Sequence, residues 1–298
     1  MSESANPESS PVSRREFNAG RPGRLPSITS LLKASWRRYA ASLNVFALIY
    51  VLYFVPMALV VAVMSSIYRM APKPLNPLVL AWLVAGGVMA LLVSVWGQAA
   101  FIYAASGRFR ETKKLLKEAL EKTASFAWVY VIFGLLVLAG MVFFIVPGII
   151  ALVWFSFSVY VLAIDGDKGI GAIIKSRQYV RGQWWPVFSR YLPVLLLYIA
   201  LNLTPVLGPL LWMIFMPFLI TYQCILFEEI KAAKGPVESP QAAQKKRWAL
   251  ACGLVIILAA LLTASAFSGL SRTQLEQFTK DPAKALQQLN GKNLKSQI

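Results

Sequence analysis

The sequence predicts an all-α fold: a polytopic bundle of transmembrane helices with six core spans in three helical hairpins, followed by a seventh span. Apolar residues make up 57% of the chain and charged residues 14%, whereas about a quarter of a soluble domain is charged. Seven apolar runs approach or exceed the roughly 18 residues needed to cross a hydrocarbon core. A basic amphipathic segment precedes each predicted hairpin, which indicates a surface helix before each one.

The apolar runs define the predicted domain organisation. They cover residues 42–63, 78–104, 126–146, 148–164, 186–204, 208–227 and 248–267. The resulting segments are a disordered cytoplasmic arm (1–26), a six-span membrane domain (27–230), a cytoplasmic linker (231–247), the seventh span (248–267) and an extracytoplasmic helical tail (268–298). In the tail, capping residues Ser271 and Asp281 predict two short amphipathic helices.

The distribution of lysine and arginine predicts the orientation. Most of the 30 basic residues fall before residue 42 or in the connections 105–125, 165–190 and 228–247. The positive-inside rule places these segments in the cytoplasm, so the N-terminus is expected inside and the C-terminus outside. The net charge of +17 therefore indicates topology. No nucleic-acid partner is predicted, because the basic residues are distributed over several loops instead of forming one soluble face.

Three similar segments suggest an internal repeat. They are Leu31-Leu32-Lys33, Leu115-Leu116-Lys117 and Ile173-Ile174-Lys175, and each precedes a pair of apolar runs. Pro147-Gly148 and the Pro205–Pro209 segment predict tight turns within two of the pairs. We interpret the chain as one unit, a surface helix plus a membrane hairpin, used three times. The alternative is that any basic amphipathic segment before a membrane helix has this appearance.

The basic segments predict membrane lipids, in particular anionic lipids on the cytoplasmic side, as partners. A basic amphipathic helix can lie in the headgroup layer, where each Lys or Arg contributes about 1 kcal/mol with anionic lipid. The interaction would serve anchoring or, alternatively, a specific headgroup site. The candidate headgroup contacts are Lys33, Arg37, Lys113, Lys117, Lys175, Arg177 and Arg181.

Polar and acidic residues within or beside the spans are the other candidates. The candidate intramembrane polar contacts are Asn44, Gln98, Ser156, Ser158, Asn202 and Gln223. Such groups bond between helices or, alternatively, line a substrate path. Asp165, Glu228 and Glu229 end spans on the predicted cytoplasmic side. We expect ion pairs between these acids and the basic surface helices, with proton or cation coupling as the alternative.

The residues do not predict a reaction. The chain contains no histidine, which excludes a histidine metal site, a histidine base and a Ser-His-Asp triad. Its two cysteines, Cys224 and Cys252, fall in apolar runs, and neither a P-loop nor a dinucleotide-binding fingerprint occurs. No cofactor, metal or catalytic residue is therefore predicted.

One region resembles a known family. The run Phe143-Phe144-Ile145-Val146-Pro147-Gly148-Ile149-Ile150, followed by Trp154, Asp165, Lys175-Ser176 and Gly182-Gln183-Trp184-Trp185, carries the resemblance. It is similar to bacterial membrane proteins related to the membrane domain of glycerophosphoryl diester phosphodiesterases. The resemblance spans about residues 27–230 and implies a six-helix inner-membrane bundle without the catalytic barrel. The seventh span and tail depart from that pattern.

Together these observations predict a non-catalytic bacterial inner-membrane protein that acts as a scaffold or regulatory partner, with a possible protein partner. A transporter of a lipid or small solute is the first alternative, and a lipid-modifying membrane enzyme is the second. An enzyme would require Asp165, Glu228 and Glu229 to converge at one leaflet.

Overall fold

The computed structural model describes residues 25–70, 77–109, 111–204 and 207–268, and every regular element in these ranges is a helix. The predicted arm, apart from residues 25 and 26, and the predicted tail beyond residue 268 lie outside the described residues. The elements are α1 (Ile28–Ala41), α2 (Leu43–Met70), α3 (Pro77–Ser106), α4 (Thr112–Phe143), α5 (Ile145–Phe155), α6 (Ser158–Tyr160), a π-helical turn (Val161–Asp165), α7 (Ile170–Val180), α8 (Trp184–Asn202), α9 (Leu207–Lys234) and α10 (Ala242–Ser268). The all-α prediction is confirmed.

Six helical segments of the described chain are long and apolar enough to cross a membrane. They are Leu43–Ile67, Val79–Ser106, Thr112–Phe143, Ile145–Asp165, Leu211–Lys234 and Ala242–Thr263. The protein is thus a multi-pass membrane protein, and six of the seven predicted spans have a counterpart. The fifth prediction, 186–204, coincides with α8, a helix of 19 residues that is not among the six.

The chain divides into two compact units. The first contains residues 1–134 and 152–248, and the second contains residues 135–151 and 249–298. The candidate residues discussed below belong to the first unit. Its linker is shorter than the predicted 231–247, because α9 continues to Lys234 and α10 begins at Ala242.

The basic segments join their spans in three different ways. The first, α1, begins after the N-cap Ser27 and ends before Ser42, whose N–H bonds the carbonyl of Tyr39. The third, α7, is followed by Gly182 in the left-handed conformation (φ 86°). The second segment is no separate surface helix: α4 runs unbroken from Thr112 to Phe143. Because residues 112–133 contain neither Gly nor Pro, nothing interrupts the helix there, and this part of the prediction is wrong.

A tight helical turn forms part of the second unit, as Pro147-Gly148 predicts. Only Phe144 separates α4 from α5. Pro147 lies in the first turn of α5, where a missing N–H is tolerated. A Cβ atom on Gly140 would lie 2.9 Å from Gly148 Cα. Glycine at position 140 therefore permits the backbones to approach closely at this turn.

In the first unit, tyrosines from α1 and α2 bind the backbone of α9 beside a proline. Pro217 lacks the N–H that would bond the carbonyl of Met213, four residues earlier. Tyr50 donates its hydroxyl to that carbonyl, and Tyr39 donates to the next carbonyl, of Ile214, at 3.2 Å. Neighbouring helices thus provide the hydrogen bonds that a proline removes within a membrane span.

A similar contact joins α8 to α9. Pro193 lies inside α8, and the Tyr222 hydroxyl of α9 donates to the carbonyl of Arg190, three residues before that proline, at 2.9 Å. Tyr222 is buried. The two proline-bearing helices are therefore held by tyrosine-to-carbonyl bonds in addition to apolar packing.

We predict that Tyr50→Phe destabilises the protein by roughly 0.5–2 kcal/mol, because the Met213 carbonyl then loses its donor. In a Pro217→Ala background the same change should cost less, since the new N–H bonds that carbonyl. Thermal unfolding in detergent, analysed as a double-mutant cycle, measures the difference. Tyr53→Phe is the matched control. An equal cost in both backgrounds would contradict the assignment.

Candidate functional site

Charged side chains gather at one end of the first unit. Arg38 of α1 donates two hydrogen bonds to Glu228 of α9, at 3.0 and 2.9 Å, and one to the carbonyl of Ala105 at 3.3 Å. Arg108 donates to the carbonyls of Ala163 and Ile164. The segments that the charge pattern assigns to one side of the membrane therefore lie together.

A largely buried cluster of five residues, here called the Asp165 cluster, lies at this end. It contains Asp165, Asp167, Lys175, Tyr179 and Lys231. The Asp165 carboxylate accepts hydrogen bonds from Tyr179 at 3.1 Å and from Lys231, and Lys175 lies 2.9 Å from it. Lys175 also lies 2.9 Å from Asp167. The Asp165 and Lys175 side chains are only 4% and 8% exposed, so water contributes little to their solvation.

The backbone brings these residues together by a sharp reversal. The π-helical turn ends at Gly166 (φ 80°), whose N–H bonds the carbonyl of Val161 at 3.1 Å. Gly169 (φ 57°) then precedes α7. Only glycine adopts such positive φ values readily. The reversal places the two aspartates against Lys175, which follows on α7.

In the Asp165 cluster, the negative charges of two carboxylates balance the positive charges of two ammonium groups. Burial lowers the pKa of Lys175, but hydrogen bonds to Asp167 and Asp165 raise that pKa more, so the net shift is upward. The Arg38 pKa is likewise raised, because the bonds to Glu228 outweigh burial. Lys175 and Arg38 therefore both remain positively charged. The arrangement satisfies the requirement that a buried charge be paired and hydrogen-bonded.

The structure corrects two of the candidate headgroup contacts. Lys175 is buried in the Asp165 cluster. Arg177 lies between two indoles, with its guanidinium carbon 4.7 Å from the Trp154 ring and 5.0 Å from the Trp248 ring. Such cation–π contacts hold the side chain against α10 instead of leaving it for lipid. The isoleucine pattern of α7 gave no sign of either partner.

The remaining basic candidates are exposed. They are Lys33, Arg37, Lys113, Lys117 and Arg181. Lys117 forms a loose ion pair with Glu121 at 3.8 Å. Lys234, which the sequence did not single out, instead donates to the carbonyls of Tyr179 and Arg181, at 3.3 and 2.6 Å. It thereby caps the C-terminal end of α7, where a cation is favourable.

The polar candidates mostly bind neighbouring backbone or side chains. Gln223 accepts a hydrogen bond from Tyr160 at 2.9 Å, which joins two helical segments. Ser156 and Ser158 donate to carbonyls three residues earlier, at 3.0 and 2.6 Å. Gln98 is half-buried and Asn44 is exposed. The side chain of Asn202 lies outside the described residues.

The three acids have different surroundings. Asp165 and Glu228 pair with Lys175 and Arg38, cations of two basic surface helices. Glu229 is half-buried next to Glu228, and it forms no ion pair with the described residues. The expected pairing with surface-helix cations is therefore present for two of the three.

An open groove lies between α1 and α9. Its lining consists of Leu32, Lys33, Trp36 and Arg37 from α1 and Phe218 from α9. Trp36 is 58% exposed, and its ring meets Phe218 edge-on at 6.0 Å. The sequence pattern of α1 identified the two cations, but nothing in the sequence linked them to Phe218, which lies far along the chain.

No protein-family model, curated protein or solved structure matches this chain. The resemblance to the phosphodiesterase membrane domain therefore stays a prediction. Within the ranges that the structure describes, no group of three or more His, Cys, Asp or Glu could hold a metal ion.

We predict that Lys175→Met lowers the free energy of unfolding by roughly 3 kcal/mol, because it leaves Asp167 without a counter-charge and the buried Asp165 with Lys231 alone. Adding Asp165→Asn should recover part of that loss. The control is Lys114→Met, which removes an ion pair with Glu111 whose side chains are 70% and 63% exposed, and it should cost under about 1 kcal/mol. Denaturant unfolding in detergent measures all three variants. Similar costs for Lys175→Met and Lys114→Met would contradict the structural role.

Proposed function

We propose that the protein is a non-catalytic, multi-pass protein of the bacterial inner membrane that acts as a scaffold or regulatory partner at the cytoplasmic face. The observation that carries this proposal is the pairing of charges between the basic helices and the ends of the spans. Arg38–Glu228 and Asp165–Lys175 join the basic helices α1 and α7 to the ends of the spans. These charges stabilise a fixed arrangement of surface helices on the membrane domain.

A fixed surface is what a scaffold requires. Lys234 binds carbonyls at the end of α7, and Ser239 of the linker donates to Asp167 at 3.1 Å. Hydrogen bonds thus join the connection between α9 and α10 to α7 and to the segment before it. Other cations at this end, including Lys113 and Arg181, are exposed on the protein surface. Such a basic surface suits an acidic segment of a partner protein.

The proline-bearing helices favour this proposal over a transporter. Broken helices can form a substrate site in transporters when their freed carbonyls face a cavity. Here the freed carbonyl of Met213 accepts a hydrogen bond from Tyr50, and Tyr39 donates to the adjacent carbonyl of Ile214. Pro217 is therefore accommodated by helix packing.

The orientation and the resemblance belong to the same proposal. The charge distribution supports a cytoplasmic location for the end that holds Arg38 and Asp165. The similarity of residues 143–185 to membrane domains that occur without a catalytic barrel agrees with a role that needs no reaction.

The test is co-isolation of the full chain with its surrounding membrane in polymer nanodiscs, followed by quantitative mass spectrometry. We expect one partner protein to co-isolate in near-stoichiometric amount. It should be absent when an unrelated multi-pass protein is isolated in the same way. The variant Lys113→Glu/Arg181→Glu should reduce it at least severalfold, because both reversals alter the exposed basic surface. Arg69→Glu should leave the recovery of the partner unchanged. Arg69 is exposed at the C-terminal end of α2, which is the end farther along the chain from α1. Equal recovery with all variants and the unrelated protein would contradict the scaffold proposal.

A further inference from the structure

We infer that the groove between α1 and α9 is a binding site for one anionic phospholipid of the surrounding bilayer. The phosphate would lie between Lys33 and Arg37, and an acyl chain would follow Trp36 and Phe218. The inference rests on the proposed function only in placing α1 at the cytoplasmic membrane surface.

The charge of the groove is uncompensated. Lys33 and Arg37 are exposed and four residues apart, so they lie on one face of α1. Arg38, the next residue, points to Glu228 instead. Neither groove cation forms an ion pair with any residue in the described part of the chain. A phosphate accepts bonds from both cations, and the guanidinium fork suits its oxygens.

The apolar part of the groove requires a ligand with an apolar part. Leu32 and Phe218 are half-buried, and the Trp36 ring is 58% exposed. Phe218 belongs to the candidate span Leu211–Lys234, so an acyl chain beside it would lie at the depth of the hydrocarbon. A free phosphate would leave these rings uncovered, whereas a phospholipid covers them and places its headgroup at the cations. Tryptophan favours this interfacial position.

The groove is fixed before any ligand binds. Tyr39 stacks on Phe46 at 5.7 Å and meets Phe218 edge-on at 6.0 Å. Its hydroxyl binds the carbonyl of Ile214, and Arg38 binds Glu228. These contacts hold α1 against α9 from the side opposite its exposed cations. A preformed site loses less entropy on binding.

The other two basic segments lack this combination. The positions that correspond to Lys33 and Arg37 are Lys117 and Glu121 in the second segment, which pair with each other. In the third they are Lys175 and Tyr179, which both bind Asp165. At these two matching positions, the first segment alone therefore presents two cations that form no ion pair with the described residues.

The test is native mass spectrometry of the full chain in detergent, titrated with phosphatidylglycerol or with phosphatidylcholine of the same acyl chains. We expect tighter binding of one phosphatidylglycerol. Lys33→Gln/Arg37→Gln should weaken it about 25-fold, roughly fivefold for each cation. The control Lys113→Gln/Lys114→Gln, which removes the same charge, should change it less than twofold. Trp36→Ala should weaken both lipids.

Each contrary outcome would overturn the inference. Equal losses for the two double variants would mean that general surface charge attracts the lipid. Equal affinity for both lipids would mean that Lys33 and Arg37 do not select the anionic lipid. Displacement of the lipid by excess glycerol phosphate would identify a soluble anion as the ligand. Thermal unfolding of Lys33→Gln/Arg37→Gln should match that of the unchanged protein, because both residues are exposed. Loss of lipid preference with retention of the co-isolated partner would leave the proposed function unaffected.

Discussion

The structure depends on one constraint: a backbone polar group inside a membrane must find its hydrogen-bond partner within the protein. Proline breaks that rule locally, and α9 contains Pro217 inside a candidate span. Tyr39 and Tyr50 supply hydrogen bonds to the carbonyls of Ile214 and Met213. Because these tyrosines come from α1 and α2, the repair of α9 also fixes where the first two helices pack. The groove beside Phe218 follows from the same contacts.

Charge obeys the same requirement at the helix ends. Arg38, Lys175 and Lys231 are each bound to a carboxylate contributed by another segment. Arg177 instead uses two indoles, and Lys234 uses carbonyls at the end of α7. Lys33 and Arg37 are exposed and have no such contact in the described residues. Their exposure therefore distinguishes a surface for binding from charges that hold the fold.

Much of the fold could be predicted from the sequence, because length and hydropathy govern which segments cross a membrane. The turn at Pro147-Gly148 and the common side of the basic connections were also predictable from residue type. The separate second surface helix was not, since periodicity indicates a helix but not whether it continues into the next one. The sequence also could not predict which basic residues are buried in ion pairs and which are exposed. Lys33 and Lys175 occupy matching positions in similar segments, yet only the structure shows Asp165 and Asp167 beside Lys175.

The tyrosine-to-carbonyl contacts set a condition on how the protein is made. Tyr50 and its acceptor Met213 are 163 residues apart. At a synthesis rate of about 5–20 residues per second, roughly 10–30 seconds separate the insertion of the two groups. During that interval the hydroxyl lacks its final acceptor, and α1 and α2 cannot reach their final packing. The packing of the first hairpin against α9 must therefore wait until the proline-bearing helix enters the membrane and completes assembly.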